Sequence, residues 1–360
     1  MTVSAWRTRA ALGLPPGLLP LGAYLGIGVL LGPQVLNVVT EDVGAHLDAV
    51  VSIALGTLGV VAGLALAPSA RRAGRLLAAA SIESGVTTAI VASALLTLLQ
   101  AWHAPVTSSA WAIALVLGTA AAASAAGPVD AIGDPDHAAH GVADLDDVLP
   151  ILVAAATLPT APVLGVPGPA FGVLAAIAIG AIVAGIGWLL FEASNAPGER
   201  AVFVIGAVAM LGGACAYAGV SPLLAGLVCG VCWRVMPGRA DVLIASDLRK
   251  FHHPLVLLLL IEAGAQLAFS QLAVWLFAAF MVFRMSGKIA GGWAAARVAP
   301  VSGDVLGAYL VSPGVIGVAI ARNYQQVWPS DGTAILSAVA AAAVVFETIA
   351  PAVRPRGARE

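Results

Sequence analysis

The sequence predicts an all-α polytopic membrane protein of about twelve transmembrane helices. Of its 360 residues, 60% are hydrophobic and only 10% charged, outside the range of soluble domains. Apolar runs long enough to cross about 30 Å of hydrocarbon recur from Leu18 towards the C-terminus. Lys and Arg gather at alternate ends of those runs, as cytoplasmic loops require. A net charge of −2 and the lack of a basic patch give no electrostatic footing for nucleic acid as a partner.

Residues 1–17 read as a cytoplasmic N-terminus. Arg7 and Arg9 precede an apolar run with no A-x-A-like cleavage site, so the run is a retained first helix rather than a signal peptide. The transmembrane unit is 18–353. Its expected spans are Leu18–Val38, Ala49–Ala67, Leu76–Leu99, Ala110–Ala126, Ala138–Leu158, Pro169–Leu190, Ala201–Tyr217, Ser221–Val235, Pro254–Phe269, Leu272–Val298, Gly303–Ala321 and Ala334–Ala350. Residues 354–360 form a short cytoplasmic tail. With both termini inside an inner membrane, fourteen of the 17 Lys and Arg fall on the cytoplasmic side. Arg322 falls outside, as does the acidic stretch Glu41 to Asp48, while Arg284 and Lys288 lie within a span. In the first span Gly22, Gly26, Gly28 and Gly32 make two pairs at four-residue spacing, suited to close helix packing. Cys229 and Cys232 form a CxxC, which inside a span reads as small packing residues.

Ionisable residues at membrane depth are functional-site candidates by default. Ala143 to Leu152 reads ADLDDVLPIL. A carboxylate at the centre of a span costs about 2.5–3.5 kcal/mol to insert. Two readings of Asp146 and Asp147 stand: helix N-terminal acids in the headgroups, with Asp144, or buried acids that are used. Neighbours on a helix point about 100° apart, so one should face another helix and the other a cavity. Lys288 tilts the balance. In VFRMSGKIAGGWAAARVAP it lies roughly 14 Å below Arg297, too deep to snorkel, and needs an internal acid or water. Arg284, one turn further out, reaches the outer side or binds a second acid.

The other acids inside spans are Glu83, Glu262 and Glu347. Glu83, among Ser81, Ser84, Thr87 and Thr88, reads equally as a hydrogen-bonded structural carboxylate or as part of a transport path. Glu262 is a candidate partner for Arg284 or for an ion path. Glu347 sits near the cytoplasmic end, paired with Arg354 or capping packing. The fourth span ends in ASAAGPVDAIGDP, where Ser124, Gly127 and Pro128 mark an interruption or a plain helix end, and an acidic loop follows with Asp130, Asp134, Asp136, His137 and His140. The eleventh span carries LVSPGVIGVA, with Ser312, Pro313 and Gly314 in its interior. Irregular backbone at membrane depth persists only where protein buries it or it lines a cavity. Interruptions in corresponding positions of two halves point to a transporter's binding site.

Several stretches resemble, in order over nearly the whole chain, the monovalent cation:proton antiporters of bacteria. LGAYLGIGVLLGPQVL is similar to that family's glycine-rich segment, GVVAGLALAPSARR and VSPLLAGLVCGV to two helix ends, ADLDDVLPIL to its paired acids, GKIAGGWAAARVA to its lysine helix, and LVSPGVIGVAIA to its second broken helix. The resemblance implies that Asp147 binds cation or proton in alternation and that Asp146 pairs with Lys288. It implies two crossed discontinuous helices, the fourth and the eleventh, supported at Ser124–Pro128 and Ser312–Gly314. Inverted repeats, a homodimer, and an ion-translocating core (about 76–158 and 254–350) moving against a dimerisation scaffold follow from it too. The likeness is to the membrane domain only, without a regulatory domain. Three departures stand out: SAAGP at the first break, Pro150 after DDVL, and a charge at Glu262.

The chemistry implied is competition for one carboxylate. A proton and Na+, Li+ or K+ become exclusive ligands of Asp147, with hydroxyls and carbonyls freed at the helix breaks completing the oxygen shell. No cofactor is called for. Two rivals remain: a carrier of the same architecture holding an organic anion on Lys288 and Arg284, and a membrane metalloenzyme, for which no HExxH pattern is present.

Overall fold

A computed structural model describes residues 20–66, 70–102, 106, 109–124, 141–143, 145–158, 168–193, 197–236, 240–298, 306–308, 310–311 and 314–353. Twelve helices follow one another among them: α1 (Leu21–Leu31), α2 (Glu41–Ala65), α3 (Ala70–Ala101), α4 (Ala110–Ala122), α5 (Val148–Ala156), α6 (Pro169–Ala193), α7 (Pro197–Ala218), α8 (Pro222–Val235), α9 (Ala240–Ala265), α10 (Gln271–Ala295), α11 (Val315–Val327) and α12 (Pro329–Val353). Among the described residues, six stretches are long and apolar enough to cross a membrane: His46–Ala65, Gly74–Ala101, Ala170–Ala193, Gly198–Ala218, Gln271–Ala295 and Pro329–Ile349. Leu21–Leu31, Ala110–Ala122, Pro222–Val235 and Phe251–Ala265 are shorter apolar helices. The chain is therefore an all-helical, multi-pass membrane protein.

Local sequence sets several helix starts. The Thr40 hydroxyl accepts from the Val43 amide at 3.4 Å, Ser221 from Leu224 at 3.3 Å, and Ser270 from Ala273 at 3.1 Å. Each places a hydroxyl on an amide that would otherwise lack a partner in a first turn.

Three expected spans come out differently. The fifth is broken: residues 145–147 form a turn, and the helix proper runs only from Val148 to Ala156. The helix in the eleventh region begins at Val315, after an extended Gly314, and continues past Ala321 to Val327. The ninth begins well before Pro254 and runs through it, because a proline costs one amide donor and a bend but need not end a helix packed on its neighbours.

The helices sort into two groups by packing. In one, α3 lies against α4 and α10, α12 against α10 and α11, and α5 against α3 and α4. In the other, α2 lies against α8, α1 against α9, and α6 against α7 and α8. The helix α9 packs chiefly on α1 and α2, with a smaller contact to α11. Glycine makes the α2–α8 contact close. A Cβ on Gly59 would meet the Leu223 carbonyl oxygen at 2.1 Å, and one on Gly226 the Gly56 carbonyl oxygen at 2.1 Å. Of the two glycine pairs read in the first span, Gly28 and Gly32 pack on the backbone of α9, whereas Gly22 touches Val344 of α12 and Gly26 faces open space. Cys229 is buried and Cys232 partly so, both as free thiols.

Candidate functional site

The site forms where α4 stops. The α4 helix ends at Ala122; Ala123 leaves it in extended conformation, and both Ala123 and Ser124 are still buried. A helix end leaves four carbonyls without partners, and in hydrocarbon no water is there to meet them. Two cations from α10 fill the role. Arg284 donates to the carbonyls of Ala120 (3.2 Å), Ala121 and Ala123 (3.1 Å), and to Val311 in the segment before α11 (3.4 Å). Lys288 donates to the Ala122 carbonyl at 2.5 Å and to the Ser124 hydroxyl at 2.5 Å. The Ala123 amide takes the Thr119 carbonyl. Positive charge at a helix C-terminus also matches its partial negative charge. Arg284 therefore serves carbonyls at the junction of the two interrupted segments rather than the outer side or a directly bonded acid. Its guanidinium carbon lies 5.4 Å from the Phe346 ring centroid, which closes the apolar side.

Lys288 is fully buried and faces two acids. Its Nζ lies 3.1 Å from Glu83 Oε1 and 3.5 Å from Asp146 Oδ2, with both carboxylates also fully buried. Glu83 Oε1 accepts in addition from Thr87 Oγ1 at 2.9 Å. The seat for Glu83 exists because α10 carries glycine on the facing side. A Cβ on Gly291 would lie 2.8 Å from the Glu83 carbonyl oxygen and 3.2 Å from its Oε1, and one on Gly287 would press Thr87 Cγ2 at 3.1 Å. The spacing Gly287-x-x-x-Gly291 is the sequence signal for this contact, and it passes unnoticed beside the lysine.

Asp146 lies in the turn and Asp147 is the residue from which α5 starts, 6% exposed. The chain breaks at the acid pair itself, so the two carboxylates are set by a turn and not by a continuous helix face. Asp147 stands at the N-terminal end of α5, where the helix dipole favours negative charge. Gly314 is the extended residue before α11. Gly127, Pro128, Ser312 and Pro313 lie outside the described residues, as do Asp144 and the acidic loop with Asp130, Asp134, Asp136, His137 and His140.

Glu262 belongs elsewhere. Its two oxygens accept from Arg322 Nη2 and Nε at 2.7 and 2.8 Å, and Asp48 Oδ1 meets the same Nη2 at 2.6 Å. Its partner is therefore Arg322 and not Arg284. Glu347 accepts from the amides of Leu21 and Gly22, both at 3.0 Å, and so caps the start of α1; its other expected partner, Arg354, lies outside the described residues.

No protein-family model and no curated protein matches the chain. Among solved structures, the sodium proton antiporter MjNhaP1 from Methanocaldococcus jannaschii superposes with a TM-score of 0.62 at 14% identity, over 92% of this chain and 91% of that one. At that identity the likeness is one of fold, and it extends over nearly the whole length of both chains.

Proposed function

We propose that the chain is a secondary antiporter that exchanges a monovalent cation for protons by alternating access. One observation carries this reading. Three buried carboxylates, Glu83, Asp146 and Asp147, meet two buried cations, Lys288 and Arg284, at an interrupted helix. One negative charge is left over, and a single proton or a single Na+, Li+ or K+ balances it. Two such ligands of one carboxylate exclude each other, so exchange needs only that the loaded site open to each side in turn. Asp147 is the carrier in this reading, since Asp146 and Glu83 both border Lys288. The carbonyls at the end of α4 are engaged by Arg284 and Lys288, so the cation's oxygens come chiefly from carboxylates.

The fold of MjNhaP1, a protein described as a sodium proton antiporter, supports the same reading. Alternating access would move α3, α4, α5, α10, α11 and α12 as one body against the remaining helices. Both termini are cytoplasmic and two copies associate in the inner membrane. The organic-anion alternative asks Arg284 and Lys288 to hold a carboxylate. Arg284 spends its two terminal nitrogens on four carbonyls, and Lys288 is engaged by a carbonyl, a hydroxyl and an acid, which disfavours it.

The test is a pH-gradient dissipation assay in proteoliposomes, challenged in turn with Na+, Li+ and K+. At least one should collapse the gradient, with an apparent KM that rises as pH falls because protons occupy the same carboxylate. If none of the three collapses it, the reading fails.

A further inference from the structure

Resting on the antiport reading, we infer that Arg322 is a latch: its bonds to Glu262 and Asp48 hold the two helix groups shut at one end of the bundle and part each time the site opens to that side. Chain direction places the pieces. Glu262 lies in the last turn of α9, Arg322 in the second half of α11, and Asp48 near the start of α2. Beside them, Asn323 donates to the Ser221 hydroxyl at the start of α8 (2.9 Å), and Gln326 to the Asp48 carbonyl (3.2 Å) and the Ser52 hydroxyl (3.3 Å). The Ala268 amide, just past α9, donates to Ser337 of α12 at 2.9 Å. Each of these bonds joins α11 or α12 to α2, α8 or the end of α9, across the boundary that alternating access would shear. At the opposite end Glu347 of α12 accepts from the Leu21 and Gly22 amides of α1, a cap with no charged donor among the described residues.

The chemistry suits a fastener that must open. Shut, the Arg322 and Glu262 side chains are 4% and 1% exposed, so the fork is dry and held in one geometry. Parted, both charges face the aqueous opening and regain their hydration. That hydration repays most of the attraction lost, because a buried pair is worth little net against the same two charges in water. An apolar seal of equal area would instead put hydrocarbon into water at every opening. Asp48 is half exposed and marks the side from which water enters. Glu262 is also a position where the sequence departs from the antiporters it resembles, so the charge that closes the fork is this chain's own.

The experiment places Ser52→Cys and Gln326→Cys on the two sides of the seal, in the full chain with Cys232→Ser to remove the one native thiol that is not buried. Bridging the pair in proteoliposomes with a short bis-methanethiosulfonate is expected to stop cation-driven proton movement, and reduction of the bridge to restore it. Bridged protein that exchanges as fast as the reduced protein overturns the inference. A second readout needs no transport: the rate at which a water-soluble maleimide labels Gln326→Cys alone. Adding Glu262→Gln is expected to raise that rate about tenfold or more, the equivalent of one hydrogen bond to a charged group. Adding Asp48→Asn should give a smaller rise in the same direction. An unchanged rate in Glu262→Gln means that the fork holds nothing shut, and the inference fails. If Glu262→Gln yields no folded protein, Asp48→Asn decides by the same labelling. Should the unaltered protein move no cation, the antiport reading fails by itself, and the labelling still tells whether Arg322 keeps this end closed.

Discussion

Two buried charge clusters stand out among the described residues, and they are built on opposite principles. Around Arg322 the guanidinium forks onto both oxygens of Glu262 at 2.8 and 2.7 Å, and a third bond reaches Asp48 at 2.6 Å. Planar Arg suits this two-pronged geometry, and the result is a closed pair. Around Lys288 a point charge is shared among a carbonyl, a hydroxyl and two acids, and Glu83 Oε2 and both oxygens of Asp146 lack hydrogen bonds. The Arg322 cluster joins α11 to α9 and α2, across the two packing groups, where Gln326 adds contacts to the Asp48 carbonyl and Ser52 and Asn323 reaches Ser221. The Lys288 cluster lies inside one group. A saturated cluster fastens; an acid-rich, unsaturated one has capacity for a ligand.

The largest expected effect falls on the unsaturated cluster. Asp147→Asn removes the carrier charge and should reduce exchange to the level of protein-free liposomes, while the purified protein still elutes as a single folded species. Cation-driven proton movement at an undiminished rate would remove Asp147 from the mechanism. Next in size is Lys288→Ala, which leaves Glu83, Asp146 and the end of α4 facing one another. Loss of one partner of a buried pair costs about 3–5 kcal/mol, read as a large fall in melting temperature. Pairing it with Glu83→Ala should restore little, because Asp146 and the Ala122 carbonyl remain unmatched. At Arg322 the contrast should invert. Arg322→Met alone costs about 3–5 kcal/mol, but combined with Glu262→Met it should recover most of that loss, since a closed pair can be replaced by apolar packing. If both double variants behave alike, the two clusters do not differ in kind.

The membrane class, most helix positions and the burial of Lys288 were legible in the sequence, because hydropathy and loop charge act over whole spans and tolerate boundary errors. Partner choice was not. Glu83, Asp146 and Glu262 are equally acidic letters in apolar runs, and which cation each meets depends on helix rotation and on which face carries glycine. Gly287 and Gly291 decide it for Glu83; the docking of α9 on α1 and α2 decides it for Glu262 by turning it towards Arg322. The role of Arg284 was hidden for a different reason. Its partners are main-chain carbonyls of alanines, which no side-chain pattern announces. The turn at Asp146 and Asp147 was hidden too, since an apolar run reads as one continuous helix whether or not its backbone breaks.

The smallest effect sharpens the comparison from the other side. Asp48 supplies the third arm of the Arg322 cluster, but its side chain is 50% exposed, against 1% for Glu262. A half-exposed carboxylate is screened by water and salt, so Asp48→Asn should cost less than about 1 kcal/mol. Glu262→Gln, which breaks the buried fork, should cost several times more. Melting both variants at low and high salt separates the contributions: the small Asp48→Asn shift should shrink as ionic strength rises, and the Glu262→Gln shift should not. Equal, salt-independent losses would mean that Asp48 is part of the buried pair and that the cluster is fastened by three charges acting as one unit, with α2 bound to α11 as firmly as α9 is.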